Sequence, residues 1–144
     1  MKDKNQPNKL NNHSSIYIPT HIFHDRSIAV LEAASEYLKD IKGLTYHQIA
    51  VLVGRNDRTI WTCYNRAKKK EREDFVKAEM WIDVPVEIFS DRKVAVLERL
   101  VEFLKETKGL SYHEIAILLN RNDRTVWTVY NRCKKKRAVG GGSR

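Results

Sequence analysis

Two segments of the chain carry nearly the same run of basic, amide and hydroxyl side chains. They read NDRTIWTCYNR at 56–66 and NDRTVWTVYNR at 122–132. If the second segment forms a helix, with about 100° of rotation per residue, one side of that helix would carry Arg124, Trp127, Thr128, Asn131 and Lys135, with Arg132 at its edge. An arginine fork can bind guanine O6 and N7, an asparagine amide can bind adenine N6 and N7, and lysines suit phosphates. This pattern is typical of a helix that reads the major groove of DNA.

The candidate DNA-binding residues form two equivalent sets. They are Arg55, Asn56, Arg58, Thr59, Trp61, Thr62, Asn65, Arg66 and Lys69 in the first segment, and Arg121, Asn122, Arg124, Thr125, Trp127, Thr128, Asn131, Arg132 and Lys135 in the second. The two tryptophans have two interpretations, as contacts to a sugar or thymine methyl or as hydrophobic cover between helices. Tyr46 and Tyr112 likewise either contact phosphate through their hydroxyls or pack on the preceding helix.

Metal and catalytic sites are not expected. His21 and His24 have H-x-x-H spacing, but the second segment has no matching histidines and no cysteine completes a zinc-finger pattern. Cys63 and Cys133 exclude a disulfide scaffold, and both fall on the inner side of the third helix, so we expect buried free thiols. No phosphate-binding loop or nucleophile motif is present. We expect no enzyme activity, no cofactor and no small-molecule substrate.

The repetition extends over most of the chain. Residues 18–70 align without gaps to 84–136, and 33 of the 53 aligned positions are identical. A repeat of this kind indicates that one structural module occurs twice in the chain. Each copy has about 55 residues, which is near the lower limit for independent folding. Contact between the copies would therefore add stability.

Charge is concentrated in one part of each copy. The chain has 144 residues and a net charge of +9, whereas 55–70 alone carries +5 and 121–137 carries +6. Basic charge placed in this way favours a polyanionic partner. No apolar run is long enough for a membrane span, and the first residues lack the apolar stretch of a secretory signal. We therefore expect no membrane partner and a cytoplasmic location, on the nucleoid.

Each copy is predicted to contain three helices after a short extended segment. Asp25 and Asp91 (or Ser90) are expected to cap the first helix. The second begins at a capping box, Ser111-x-x-Glu114 or Thr45-x-x-Gln48. A tight turn at Gly54 or Asn120 follows, and Asn122 or Asp123 then caps the third helix.

The predicted organisation is all-α, with two tandem three-helix helix-turn-helix domains. Its parts are a disordered tail at 1–15, domain one at 16–70, a linker or helix extension at 71–81, domain two at 82–137 and a flexible tail at 138–144. The third helix of domain one is predicted to continue as a stiff strut to about Lys77, because no Gly or Pro interrupts it.

The segment LSYHEIAILLNRNDRTVWTVYNRCKKK resembles the promoter-reading helix-turn-helix of bacterial sigma factors and of sigma-like transcription regulators. The resemblance covers both copies and implies double-stranded DNA as the partner. One departure concerns Arg55 and Arg121, which take a turn position that is usually apolar in such motifs. We expect these arginines to contact phosphate instead of anchoring the turn.

These observations predict a transcription regulator with two recognition helices. Head-to-tail domains would read a direct repeat, and domains related by a pseudo-two-fold axis would read a palindrome. An alternative is an architectural nucleoid protein of low sequence specificity. Another is an adaptor that uses one repeat for protein interaction, with RNA polymerase or a second copy of the chain as partner. The apolar residues Leu100, Val101 and Phe103 would then be its interface; alternatively, they only give the second copy a better core.

Overall fold

The computed structural model describes residues 15–70 and 80–142. They are mainly helical with one small two-stranded sheet, which confirms the predicted all-α class. The first repeat contains β1 (Tyr17–Pro19), a 3₁₀ turn (Thr20–Phe23), α1 (Val30–Asp40), α2 (Tyr46–Val53) and α3 (Asp57–Lys69). The second contains β2 (Asp83–Pro85), a 3₁₀ turn (Val86–Ser90), α4 (Val96–Glu102) with a π-helical continuation (Phe103–Thr107), α5 (Tyr112–Leu119) and α6 (Asp123–Gly142). No helix within these ranges is long and apolar enough to cross a membrane.

The first helix of each repeat begins later than predicted. Its N-cap is Ala29 or Ala95, and the carboxylate of Glu32 or Glu98 accepts the backbone N–H of that cap residue. The predicted cap Asp25 instead accepts the backbone N–H and the hydroxyl of Ser27, and the carboxylate of Asp91 accepts the N–H of Lys93. An aspartate binds a backbone N–H two residues on as readily in a turn as at a helix start, so sequence alone misplaced the cap.

The second helix of each repeat begins and ends as predicted, and the third helix begins as predicted. Thr45 with Gln48 and Ser111 with Glu114 form reciprocal capping boxes. Gly54 and Asn120 follow with left-handed backbone, at φ of 67° and 57°. Asn56 and Asn122 then cap α3 and α6 by accepting the N–H of the residue three positions on.

Two predicted boundaries change. Helix α3 ends at Lys69, and Lys70 has extended backbone, so the predicted helical strut does not continue from it. The rest of the strut, at 71–79, lies outside the described residues, as does the N-terminal tail up to residue 14. In the second repeat α6 runs on to Gly142, past the predicted boundary at 137 and through most of the predicted flexible tail.

The extended segments of the two repeats pair with each other. The antiparallel register places Ile18 opposite Val84, which are equivalent residues of the two copies. Since a residue and its own equivalent can face each other only across a two-fold axis, the repeats are related by a pseudo-two-fold axis at this pair. Phe23 and Phe89, also equivalent residues, lie edge to face with ring centroids 6.2 Å apart.

Contacts across this axis are reciprocal. Helix α2 packs on the 3₁₀ turn of the second repeat, and α5 packs on that of the first. The side-chain amide of Asn120 donates to the carbonyl of His24 at 3.0 Å. At the equivalent place Gly54 lies so close to Ser90 that an added Cβ would be 3.2 Å from the Ser90 carbonyl oxygen.

One hydrophobic core spans both repeats. Within each repeat α1 packs mainly on α3, and α4 on α6. The buried cluster continues through Ile18, Val84 and the two phenylalanines into the other repeat. Leu100, Val101 and Phe103 are buried in this core, which agrees with the second of their two predicted roles and not with an exposed interface. The two copies thus share a core although each carries its own three helices.

Candidate nucleic-acid interface

The outer side of α3 and α6 carries basic and aromatic side chains at equivalent positions. The exposed residues are Arg58, Trp61, Arg66 and Lys69 on α3, and Arg124, Trp127, Arg132 and Lys135 on α6. The half-buried residues beside them are Thr59, Thr62, Asn65, Thr125, Thr128 and Asn131. Because Ile60 and Val126 are buried on the other side, each helix is held by its apolar side and leaves this polar side to solvent.

The tryptophans do not act as cover between helices. Trp61 is 54% exposed and Trp127 is 52% exposed. Val51 and Ile117, on the preceding helix of each repeat, are also exposed, at 66% and 62%. Apolar groups in equivalent exposed positions of both repeats are available to a partner, and among DNA groups the thymine methyl suits them.

The asparagines have structural partners inside the protein. Asn56 and Asn122 are helix caps, so their side-chain oxygens are already occupied by backbone N–H groups. Asn65 and Asn131 donate from Nδ2 to the carbonyl of the tryptophan four residues earlier, each at 2.8 Å. This bond leaves Oδ1 and the second Nδ2 hydrogen of Asn65 and Asn131 for an external partner.

Arg55 anchors the turn, contrary to expectation. Its Nη1 donates to the carbonyl of Val53 at 2.5 Å and to that of Phe89, in the other repeat, at 3.0 Å. Arg121 is likewise half-buried, and its Nε finds no hydrogen-bond partner among the described residues. Burial lowers the pKa of both arginines. The phosphate role predicted for Arg55 therefore competes with a structural one.

Several lysines at the ends of α3 and α6 are paired with carboxylates of the first helix. Lys68 lies 2.9 Å from Asp40, and Lys134 lies 2.7 Å from Glu106. The other pairs are Lys70 with Glu32 at 2.7 Å and Lys136 with Glu98 at 2.8 Å. These lysines are partly neutralised within the protein, which reduces the charge they can offer to phosphates.

Arg137 on α6 also pairs with carboxylates, those of Asp91 and Glu102, whereas three basic residues on each helix do not. In the part of the chain that the structure describes, Arg58, Arg66 and Lys69 form no salt bridge, and neither do Arg124, Arg132 and Lys135. The helix that carries each trio is otherwise held by ion pairs to its neighbour. Folding thus divides the basic residues into a structural group and an outward-facing group.

The tyrosines stack in pairs behind this surface. Tyr46 lies edge to face with Tyr64, and Tyr112 with Tyr130, with ring centroids 5.8 and 5.9 Å apart. Lys39 lies over the Tyr46 ring at 4.3 Å. Tyr46 and Tyr112 therefore pack between helices, the second of their two predicted roles. A hydrogen bond to Glu106, with burial, raises the pKa of Tyr130 to about 12.

A histidine–aspartate pair joins the second and third helix of each repeat. His47 Nδ1 lies 3.0 Å from Asp57, and His113 Nδ1 lies 3.2 Å from Asp123. Sequence reasoning missed these pairs, although both residues recur at the same offset in the two copies. The exposed aspartates introduce negative charge at the start of α3 and α6.

The cysteines are not equivalent in burial. Cys133 is buried, as expected, whereas Cys63 is only half-buried. Burial, followed by the neighbouring Glu102, raises the pKa of the Cys133 thiol to about 11. Across the described ranges, no group of three or more His, Cys, Asp or Glu residues could hold a metal ion.

Comparison with known proteins does not identify a family. No family model matches the chain, and searches of curated proteins and of solved structures give no significant match. The resemblance to the promoter-reading domain of sigma factors stays a prediction from residues 110–136.

Proposed function

We propose that this chain binds double-stranded DNA with two helix-turn-helix units, α2–α3 and α5–α6, and that it regulates transcription. Helices α3 and α6 are the recognition helices, and each lies in the major groove. The chain has a pseudo-two-fold axis, as does B-form DNA at the centre of an inverted repeat. We therefore propose an inverted repeat as the target and not a direct repeat.

The observation that carries this proposal is the outward-facing group of basic residues on both helices. Arg58 and Arg124 stand in the first turn of α3 and α6, where recognition helices contact base edges. Arg66 with Lys69, and Arg132 with Lys135, stand about two to three turns further along and suit phosphates on the groove walls. Intramolecular ion pairs within the described residues leave these groups unneutralised.

The half-sites are expected to be nearly identical, because the two helices differ at few positions. If both helices enter one face of the duplex, the centres of the half-sites lie about 10 bp apart or a multiple of that spacing. The four outward-facing basic residues assigned to phosphates, Arg66, Lys69, Arg132 and Lys135, set the scale of the salt effect. If each neutralises one phosphate, log K falls with log salt with a slope of about −3.6.

Selection of bound sequences from a random duplex pool at about 150 mM salt tests the proposal. An enriched inverted repeat with a fixed spacing, bound at least about 10³-fold more tightly than random DNA, supports a sequence-specific regulator. A direct repeat would contradict the proposed symmetry. Binding without an enriched motif would replace the regulator with an architectural nucleoid protein.

A matched pair of double variants separates base reading from bulk charge. Arg58→Ala with Arg124→Ala removes one outward-facing arginine from each recognition helix. Lys42→Ala with Lys108→Ala removes the same charge from equivalent exposed positions at the ends of the first helices. We expect the first variant to lose most of its preference for the selected site and the second to retain it. Equal, small effects of both would overturn the proposed role of α3 and α6.

A further inference from the structure

Two further arginines stand at the border between the repeats. Arg26 and Arg92 are equivalent residues, both exposed, and each follows its 3₁₀ turn by two or three positions. Neither makes a salt bridge or hydrogen bond within the described residues. They were not among the residues predicted for DNA binding, because they lie outside the two helix-turn-helix segments.

Each of these arginines lies beside the turn of the opposite repeat. The segment that leads to Arg92 contacts the first-repeat turn: Ser90 packs on Gly54, and the Phe89 carbonyl accepts Arg55. The reciprocal segment, leading to Arg26, contacts the second-repeat turn through the bond from Asn120 to His24. The fold therefore carries Arg92 to the start of α3 and Arg26 to the start of α6.

Like charges meet at both places. Burial is the main cause of the lowered pKa of Arg55, and the charge of the nearby Arg92 is the second cause. Burial and the charge of Arg26 lower the pKa of Arg121 in the same order. The neighbouring carboxylates do not relieve this repulsion by pairing with Arg26 or Arg92. Asp91 binds Arg137 at 2.9 Å, and Asp25 accepts Ser27. Asp57 and Asp123, at the starts of the helices, face His47 and His113.

We propose that each DNA-contact surface is composite, with Arg92 of the second repeat completing the surface of α3 and Arg26 of the first repeat completing that of α6. Each arginine binds a backbone phosphate of the half-site read by the opposite repeat. This inference rests on the proposed function. An anion held between Arg92 and Arg55, or between Arg26 and Arg121, would relieve the repulsion between the two arginines.

The position of these phosphates follows from the pseudo-two-fold axis. Arg26 and Arg92 each lie three residues from Phe23 and Phe89, which meet at that axis. The contacted phosphates therefore lie at the inner ends of the two half-sites, near the centre of the inverted repeat. These contacts would couple affinity to the length of the spacer, because Phe23 and Phe89 anchor the segments that carry both arginines in the shared core.

The salt dependence of duplex binding tests the inference in the full chain. Arg26→Ala with Arg92→Ala should reduce the slope of log K against log salt by about 1.8, and each single change by about 0.9. The matched control, Lys42→Ala with Lys108→Ala, should leave the slope unchanged. The urea midpoint of each variant shows that exposed substitutions have not altered folding.

A double-mutant cycle tests the cross-repeat assignment. In a chain that already carries Arg58→Ala, which disables α3, Arg92→Ala should raise Kd much less than it does in the wild-type chain. When Arg92→Ala is combined with Arg124→Ala, the fold-changes in Kd of the two single variants should multiply, within about twofold. The reverse pattern would assign Arg92 to its own repeat and overturn the composite surface.

The two proposals fail in different ways. If the wild-type chain binds no duplex, the proposed function is wrong, and this inference falls with it. If the wild-type chain binds but the Arg26/Arg92 variant keeps the wild-type slope, only the composite surface is wrong.

Discussion

Gly54 shows how one residue serves both local and long-range structure. Its φ of 67° suits the left-handed turn between α2 and α3, and its missing side chain lets Ser90 of the other repeat approach. Gly43 has a similar φ of 72°, but nothing lies within 4 Å of an added Cβ. Substitutions at the two glycines therefore distinguish the effect of backbone strain from that of steric contact.

We expect Gly43→Ala to lower the free energy of unfolding by about 1 kcal/mol, through backbone strain alone. Gly54→Ala should cost about 2 kcal/mol or more, because the methyl group also presses on the Ser90 backbone. Urea unfolding of the two variants measures the difference. Equal losses would show that the repeats do not make this contact in solution.

Asn56 and Asn122 were predicted to bind DNA, and the structure gives them a capping role. Replacing Asn122 with Ala should lower the free energy of unfolding by about 1 kcal/mol. The salt slope of duplex binding should stay the same, since a capping side chain neutralises no phosphate. A capping substitute, Asn122→Asp, should keep the stability. If Asn122→Ala instead weakened binding without destabilising the fold, the direct DNA role would stand.

Helices α4 and α6 are joined by a network of ion pairs around Glu102. Its carboxylate lies 2.6 Å from Arg137 Nη2, and Arg99 lies 3.1 Å away. The hydrogen bond from Arg137 is the main reason that the pKa of Glu102 is below its ordinary value of 4.5, and burial acts in the opposite direction. A depressed carboxyl pKa in the folded state makes the fold more stable when that carboxyl is ionised.

We expect this contribution to be complete above about pH 4.5 and to disappear as the pH falls through the lower folded pKa. Glu102→Gln should therefore cost about 1–3 kcal/mol at pH 7, because Arg137 loses one of its two charged partners and keeps only Asp91. The stabilities of wild type and variant should converge in acid, where Glu102 is protonated. Denaturant unfolding across this pH range measures the gap, and a gap that persists below the folded pKa would contradict the assignment.

The molecule as a whole has one core for two repeats. Ile18 and Val84 are completely buried where the extended segments pair, and the second helix of each repeat packs on the other. Neither half can bury its apolar surface without its neighbour. The pairing of equivalent residues also makes the chain the covalent counterpart of a symmetric dimer.

We expect the halves to unfold together. Variants that retain only Trp61 or only Trp127 should give coincident urea transitions, and Ile18→Ala should shift both midpoints equally. The core substitution should cost about 2–5 kcal/mol. Exposed Lys42→Ala is the control and should shift neither. Separate transitions for the two tryptophans would show two independent domains.

The sequence by itself determined the features that depend on neighbours along the chain. Helical periodicity, the capping boxes at Thr45 and Ser111 and the left-handed turns at Gly54 and Asn120 all follow from local backbone chemistry. The exposed side of α3 and α6 was also predictable, since Ile60 and Val126 mark the opposite, buried side. Sequence reasoning failed at Asp25 and Asp91, where one side chain suits two local structures.

Only the tertiary structure decided how the repeats meet. Pairing of Ile18 with Val84 joins residues 66 positions apart, and no local pattern specifies such a register. The same long-range packing made Arg55 a turn anchor, buried Leu100 and carried Arg92 to the opposite repeat. These outcomes depend on which apolar surfaces find each other, and the free energy of that choice comes from contacts between distant parts of the chain.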